Sequence, residues 1–230
     1  EIVRRLVEAG AEVNVATRVG PEPPFRDPFA GGGSHGEGII RGGVPERGSR
    51  PARAGGMTPL HYAAREGHTR VAAFLLDHGA RINEPESNGV QPLLIAILND
   101  RVETARYLIE RGADINADDW YGRTPLWAAV EMRNVELDGE LNQQFADREG
   151  ELGIIKLLLE KGANPNPRIR EYPPTRMWLM QGGSLSWVDF TGETPFLRAA
   201  LSGDVTTMRL LLEYNADPNI PTFGGTTPLM

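Results

Sequence analysis

Residues 58–64 read Thr-Pro-Leu-His-Tyr-Ala-Ala, and residues 74–80 read Phe-Leu-Leu-Asp-His-Gly-Ala. The first stretch recurs from residues 91, 124, 194 and 227, and the steps from 58 to 91, 91 to 124 and 194 to 227 are each 33 residues. The second stretch recurs at residues 6–11, 107–113, 157–163 and 210–216. A fixed period of this length predicts a row of repeated supersecondary units rather than one globular core.

Each recurring residue type has a physical reason for its position. A Thr hydroxyl caps the first helix, and Pro fits the first helical position because its missing N–H would be unpaired there. The short helices have one apolar face each, which they bury only by stacking on neighbouring units. Left-handed backbone is predicted where each second helix ends, at Gly10, Gly79, Gly112, Gly162 and, with Asn in place of Gly, Asn215.

The segments between units are rich in Asn and Gly. Asn83, Asn116, Asn166 and Asn219 are followed by Gly89, Gly122, Gly192 and Gly225. This is turn chemistry, and it predicts a projecting hairpin after each second helix.

These motifs resemble the ankyrin repeat over residues 1–16, 56–134, 150–167 and 189–230. The resemblance implies an all-α solenoid of stacked helix-turn-helix units, with β-hairpin fingers projecting at right angles from one edge. It also implies that His61 and His68 hold the hydrogen bonds of the helix and the turn. The sequence departs from the family pattern at Gln91, which replaces the capping Thr, and at Asp100 and Arg133, which replace the Gly of the inter-helix turn.

The period divides the chain into segments. Residues 1–16 are the second half of a truncated repeat, and residues 222–230 are the start of another, so we expect the chain to be a fragment of a longer array. Complete repeats span 56–85, 86–118, 119–167 and 189–221. We expect the cut terminal repeats to make the fragment unfold easily, and added flanking repeats to raise its unfolding midpoint.

Three insertions interrupt the period, and all are predicted to lie in loops. Residues 17–55 are rich in Gly, Pro and Arg and are expected to be a flexible spacer. Residues 135–149 form an acidic insertion between two helices, with Asp147 as the cap of the second. Residues 168–188 concentrate Trp178, Trp187, other apolar side chains and three Arg. This third insertion is expected to be ordered against the array or, alternatively, reserved for a partner.

Composition and motifs narrow the possible functions. The net charge of −7 argues against nucleic acid and anionic membranes, and no apolar run is long enough to span a bilayer. Residues 31–36 have the glycine spacing of a dinucleotide site but lack the strand and helix that such a site needs. A partial calcium-loop pattern from Asn134 has Phe145 where the bidentate Glu belongs. We therefore expect no cofactor, no metal and no small-molecule ligand.

The four histidines, at 35, 61, 68 and 78, have no nucleophile or carboxylate partner that spacing supplies, so no catalytic site is predicted. The favoured function is a non-catalytic module that binds another protein. The alternative is the regulatory or targeting part of a larger enzyme or effector whose catalytic domain lies outside this sequence.

The resemblance implies where a partner would be contacted. On the first helices the expected contact residues are Arg65, Glu66, Leu98, Asn99, Glu131, Met132, Leu201 and Ser202. On the fingers they are Trp120, Tyr121, Arg123, Phe190, Glu193 and Phe223, and in the third insertion Trp178 and Trp187. The finger aromatics suggest an apolar ridge made for contact, or alternatively packing of one finger against the next.

Overall fold

The computed structural model describes residues 1–21, 54–134, 148–171 and 191–228. Within these ranges the chain forms nine α-helices and no β-strand. The helices are α1 (Ile2–Glu8), α2 (Pro59–Arg65), α3 (Thr69–Asp77), α4 (Pro92–Leu98), α5 (Val102–Glu110), α6 (Pro125–Arg133), α7 (Arg148–Glu160), α8 (Pro195–Leu201) and α9 (Val205–Glu213).

The helices form two layers, as the period predicts. The first helices α2, α4, α6 and α8 contact one another in sequence order, and so do the second helices α3, α5, α7 and α9. Each first helix also packs against the second helix of its own repeat. Helix α1 has no buried residue. The all-α repeat solenoid expected from the sequence is confirmed.

Capping explains where the first helices begin. The Oγ1 of Thr124 accepts a hydrogen bond from the N–H of Trp127 (3.3 Å), and the Oγ1 of Thr194 accepts one from the N–H of Leu197 (3.2 Å). Gln91 makes no such bond at the start of α4, and its Oε1 is buried without a hydrogen-bond partner. The expected loss of the cap in this repeat is confirmed.

Left-handed residues end the helices, mostly where the sequence predicts them. Gly79 and Gly112 have φ of +88° and +86°, and Asn215 has φ of +64°. Asp100, with φ of +54°, also replaces a turn glycine as expected. Arg133 does not, because α6 continues through it. The prediction for Arg133 was therefore wrong.

Stacking between repeats buries most of the apolar helix faces. The larger core cluster contains side chains from α4 to α9, and a smaller one joins α2 and α3. Ile109 and Leu159 occupy the same position in successive second helices and are only 4% and 3% exposed. Leu212, the corresponding residue in α9, is 46% exposed. Burial at this position therefore depends on the repeat that stacks next to it.

A ladder of asparagine side chains also joins consecutive repeats. The Oδ1 atoms accept hydrogen bonds from backbone N–H groups one repeat further on, at 2.8 to 2.9 Å. The acceptor and donor pairs are Asn14 with Arg81, Asn83 with Asp114, Asn116 with Asn164, and Asn166 with Asp217. The sequence predicted turns at Asn83, Asn116 and Asn166, but the contact between repeats depends on the stacking geometry.

His61 holds the start of α2 to the next repeat. Its Nδ1 accepts a hydrogen bond from the backbone N–H of Thr58 (3.1 Å), so its Nε2 carries the proton and donates to the carbonyl of Val90 (3.2 Å). The structural role expected for His61 is confirmed. His68 is exposed, and the structure records no side-chain hydrogen bond for it within the described part of the chain, so the expectation for His68 was wrong.

We expect His61 to make the array less stable in mild acid. Burial holds the pKa of His61 below its ordinary value near 6.5, and hydrogen bonding to Val90 and the charges of Glu86 and Glu84 oppose this only in part. The unfolded chain therefore binds more protons, and stability falls as the pH drops below about 6.5 towards the folded-state pKa.

The measurement is urea denaturation from pH 7.5 to 5. One titrating group changes the unfolding free energy by at most about 1.4 kcal/mol per pH unit. The variant His61→Gln should show a shallower pH dependence than the wild type, whatever its stability at pH 7.5. Parallel pH profiles would show that His61 is not the titrating group.

Candidate protein-binding surface

The loops between repeats form five hydrogen-bonded fingers. We define them as finger 1 (residues 17–20 and 54–57), finger 2 (86–90), finger 3 (119–123), finger 4 (169–171 and 191–193) and finger 5 (222–226). Each is closed by a backbone hydrogen bond of 2.9 to 3.2 Å, for example from the N–H of Asp119 to the carbonyl of Arg123. The finger segments thus have hairpin-type hydrogen bonds, although none of the described residues forms a β-strand.

Backbone hydrogen bonds also join each finger to the next. The N–H of each donor bonds to the carbonyl of its acceptor in the preceding finger: Ser87 to Gly55 (3.3 Å), Trp120 to Asn88 (2.9 Å), Arg170 to Tyr121 (2.7 Å) and Phe223 to Thr191 (2.7 Å). The five fingers therefore form one continuous edge of the array.

Glycine permits the close approach between fingers. Gly122 has φ of +80°, and a Cβ added to it would lie 2.8 Å from the backbone nitrogen of Arg170. Gly192 has φ of +82°, and its Cβ would lie 2.9 Å from the backbone nitrogen of Phe223. Both glycines are required by conformation and by space.

A buried ion pair stabilises finger 3. The Oδ2 of Asp119 accepts a hydrogen bond from the Nε of Arg123 (2.7 Å), and its Oδ1 accepts from the backbone N–H groups of Tyr121 and Arg123. The Arg123 guanidinium lies 5.1 Å from the centre of the Tyr121 ring. Burial raises the pKa of the Tyr121 hydroxyl above its ordinary value.

A second polar cluster lies between α6 and α8. The guanidinium of Arg198 donates to the carboxylate of Glu131, to the hydroxyl of Ser202 and to the carbonyl of Asn134. Arg198 and Glu131 are both buried. The cluster couples two consecutive first helices through charged side chains.

A third polar cluster connects α6 with the start of α9. The Nε of Arg133 donates to Asp204 (2.9 Å) and to the hydroxyl of Thr207 (3.1 Å). Burial by itself would raise the pKa of Asp204, but the hydrogen bonds from Thr207 and the nearby Arg133 outweigh it, and the pKa lies below its ordinary value.

Family models match most of this architecture. A model described as ankyrin repeats in three copies matches residues 44–119 and residues 84–169, and a model of the single ankyrin repeat matches residues 191–220. Together these matches cover more than half of the chain. The chain belongs to the ankyrin repeat family. Ankyrin repeats are in general protein–protein interaction modules, and ankyrin repeat domains are typically non-catalytic.

The array buries four of the expected contact residues. Tyr121, Arg123, Glu131 and Glu193 are all less than a tenth exposed. Tyr121 and Arg123 pack within finger 3, and Glu131 pairs with Arg198 in the next repeat. A partner cannot touch side chains that the ankyrin array covers, so these four are corrected to structural residues.

The other expected contact residues that the structure describes keep some exposure. Trp120 and Phe223 are 42% and 61% exposed on fingers 3 and 5. At the ends of the first helices, Glu66 is exposed, while Arg65, Leu98, Asn99, Met132, Leu201 and Ser202 are partly buried. Trp178, Trp187 and Phe190 lie outside the described residues, as does Asp147.

Two further exposed side chains near this surface were not expected from the sequence. Tyr62 on α2 is 39% exposed, and the guanidinium of Arg65 lies over its ring, 5.0 Å from the ring centre. Arg168, which was assigned to the third insertion, lies at the base of finger 4 and stacks 4.3 Å from the ring centre of Phe223. The i,i+3 spacing of Tyr62 and Arg65 on one helix is a local signal for the first contact, whereas the contact of Arg168 with Phe223 joins two fingers and has no local signal.

In the described part of the ankyrin array, no three His, Asp or Glu side chains come together in a way that could hold a metal ion. Its helices are all too short or too polar to cross a membrane.

Proposed function

We propose that this ankyrin array binds another protein along the finger edge and the concave surface of the first helices, out to their C-terminal ends. The observation that carries the proposal is the exposure of Trp120 and Phe223 on fingers that the backbone holds in register. Large aromatic side chains are costly to leave in water and are enriched in protein interfaces.

The fingers are organised before a partner arrives. Each is closed by its own hydrogen bond and joined to its neighbour by another, and Gly122 and Gly192 allow close contact between them. Binding to such an edge requires little ordering of the backbone, so more of the contact energy remains as affinity.

The proposed contact surface consists of the expected contact residues whose side chains keep some exposure in the array. It contains the finger residues Trp120 and Phe223 and the first-helix residues Arg65, Glu66, Leu98, Asn99, Met132, Leu201 and Ser202. We extend it to Trp178, Trp187 and Phe190 on sequence grounds alone, because aromatic side chains next to finger 4 are interface-type residues. The buried Tyr121, Arg123, Glu131 and Glu193 hold the surface in place.

Replacing Trp120 and Phe223 together with Ala is expected to weaken binding at least about 100-fold, since each exposed aromatic acts as an anchor worth roughly 1.5 to 2 kcal/mol. The partner is first isolated from source cells on the immobilised wild-type array, and its affinity for each variant is then measured by calorimetry.

The matched control is Val205→Ala. Val205 is a comparably exposed apolar residue, but it lies at the start of α9, outside the fingers. We expect it to leave the affinity within about twofold, in line with ordinary surface substitutions. Loss of binding in the control, or full affinity in the double variant, would contradict the proposal.

A further inference from the structure

Arg168, at the base of finger 4, differs from the arginines of fingers 3 and 4 in having no anionic partner. The guanidinium of Arg123 pairs with Asp119 at 2.6 Å, and that of Arg170 pairs with Asp118 at 2.7 Å. Arg168 makes no ion pair with any residue in the described ranges. Its positive charge is therefore not neutralised by the finger edge.

The fingers nevertheless hold Arg168 in one orientation. Its Nε donates to the carbonyl of Gly192 (3.1 Å), and its Nη2 donates to the carbonyl of Pro221 (2.7 Å). Its guanidinium plane stacks on Phe223, 4.3 Å from the ring centre. The Nη1 group donates to nothing in the described part of the chain, and Arg168 is exposed.

Any partner that covers Phe223 must also accommodate the positive charge of Arg168. Neutral carbonyls orient a guanidinium but do not cancel its charge, and burying an unpaired charge is costly. A partner surface that packs on Phe223 also covers Arg168, so it binds well only if it supplies an anion. Carboxylates match the planar guanidinium, and such charge-assisted hydrogen bonds are among the stronger ones.

We infer that the partner presents the carboxylate of an Asp or Glu side chain to Arg168, next to an apolar side chain that packs on Phe223. This inference rests on the proposed function and adds the class of segment that the finger edge selects. A polyanion such as nucleic acid fits less well, because the chain as a whole carries a net charge of −7.

The probe is a phage-displayed library of random 12-residue peptides, selected on the wild-type chain. We expect the selected peptides to combine Asp or Glu with a nearby aromatic or aliphatic residue. For the strongest of them, Arg168→Gln should weaken binding at least about tenfold, and higher NaCl should weaken wild-type binding more than variant binding. Replacing the peptide's acidic residue with its amide should cost affinity in the wild type only.

The matched control is Arg170→Gln, which removes a guanidinium that Asp118 already neutralises. It should change the affinity less than about threefold, and melting curves should show that both variants fold. Peptides that require Phe223 but bind Arg168→Gln normally would overturn this inference and leave the proposed function standing. Peptides that prefer phosphoserine to Glu by more than about tenfold would overturn the carboxylate assignment. A selection whose binders ignore both Phe223 and Trp120 would overturn the proposed function itself.

Discussion

Replacing Arg198 with Met is expected to lower the free energy of unfolding by about 3 to 5 kcal/mol. Arg198 lies between two first helices and donates hydrogen bonds to Glu131, Asn134 and Ser202. Both members of the Arg198–Glu131 pair are buried, so the variant removes one partner of a buried ion pair. Removing one partner of a buried ion pair is among the largest single costs in a folded protein.

Urea denaturation at neutral pH measures this cost, and the double variant Arg198→Met, Glu131→Met is the control. Replacing a whole buried ion pair with apolar side chains is often close to neutral, so the double variant should be clearly more stable than Arg198→Met alone. A single variant within about 1 kcal/mol of the wild type would show that the pair is not buried as described. A double variant no better than the single one would show that Glu131 is not the source of the cost.

Replacing Gly122 with Ala is expected to lower the unfolding free energy by at least about 2 kcal/mol. The residue has φ of +80°, which strains any side chain, and the new Cβ would lie 2.8 Å from the backbone nitrogen of Arg170. That nitrogen donates the hydrogen bond that joins finger 4 to finger 3. The substitution therefore adds a clash between fingers to the local strain.

Gly112→Ala separates the two contributions. Gly112 has φ of +86°, but nothing lies within 4 Å of its added Cβ, so only the strain of about 1 to 2 kcal/mol remains. Gly122→Ala should be the more destabilising of the two and should speed hydrogen exchange at the Arg170 amide. Equal unfolding free energies and an unchanged Arg170 amide would contradict the close packing of the fingers.

Much of the fold could be predicted because its determinants are local. Thr124 and Thr194 cap their helices, and Asn215 takes the left-handed conformation of a glycine, each through contacts within a few residues in sequence. The 33-residue period then implies the stacking, since the apolar face of one repeat is buried only by the next. Arg133 departs from this pattern because α6 continues through it, two residues beyond the point where the other first helices end.

The candidate site was predicted less well because its side chains are placed by neighbouring repeats. Glu131 looked like a surface residue, but its partner Arg198 lies 67 residues further along the chain. Arg123 and Tyr121 are a local case, because Arg123 pairs with Asp119 inside finger 3 and the Arg123 guanidinium stacks on Tyr121, which leaves both side chains buried. Of the finger aromatics that the structure describes, Trp120 and Phe223 are exposed and Tyr121 is buried, so neither an exposed ridge nor packing between fingers accounts for all three.

The most direct test of the proposed binding surface is site-specific photo-crosslinking in source cells. A photoreactive phenylalanine analogue replaces Phe223 on finger 5 or, as the control, the exposed Lys156 on α7, a second helix. If a partner docks on the finger edge, position 223 gives a discrete covalent adduct with another protein and position 156 does not. An adduct from position 156 with none from position 223 would contradict the account, because it would place the partner on the second-helix layer.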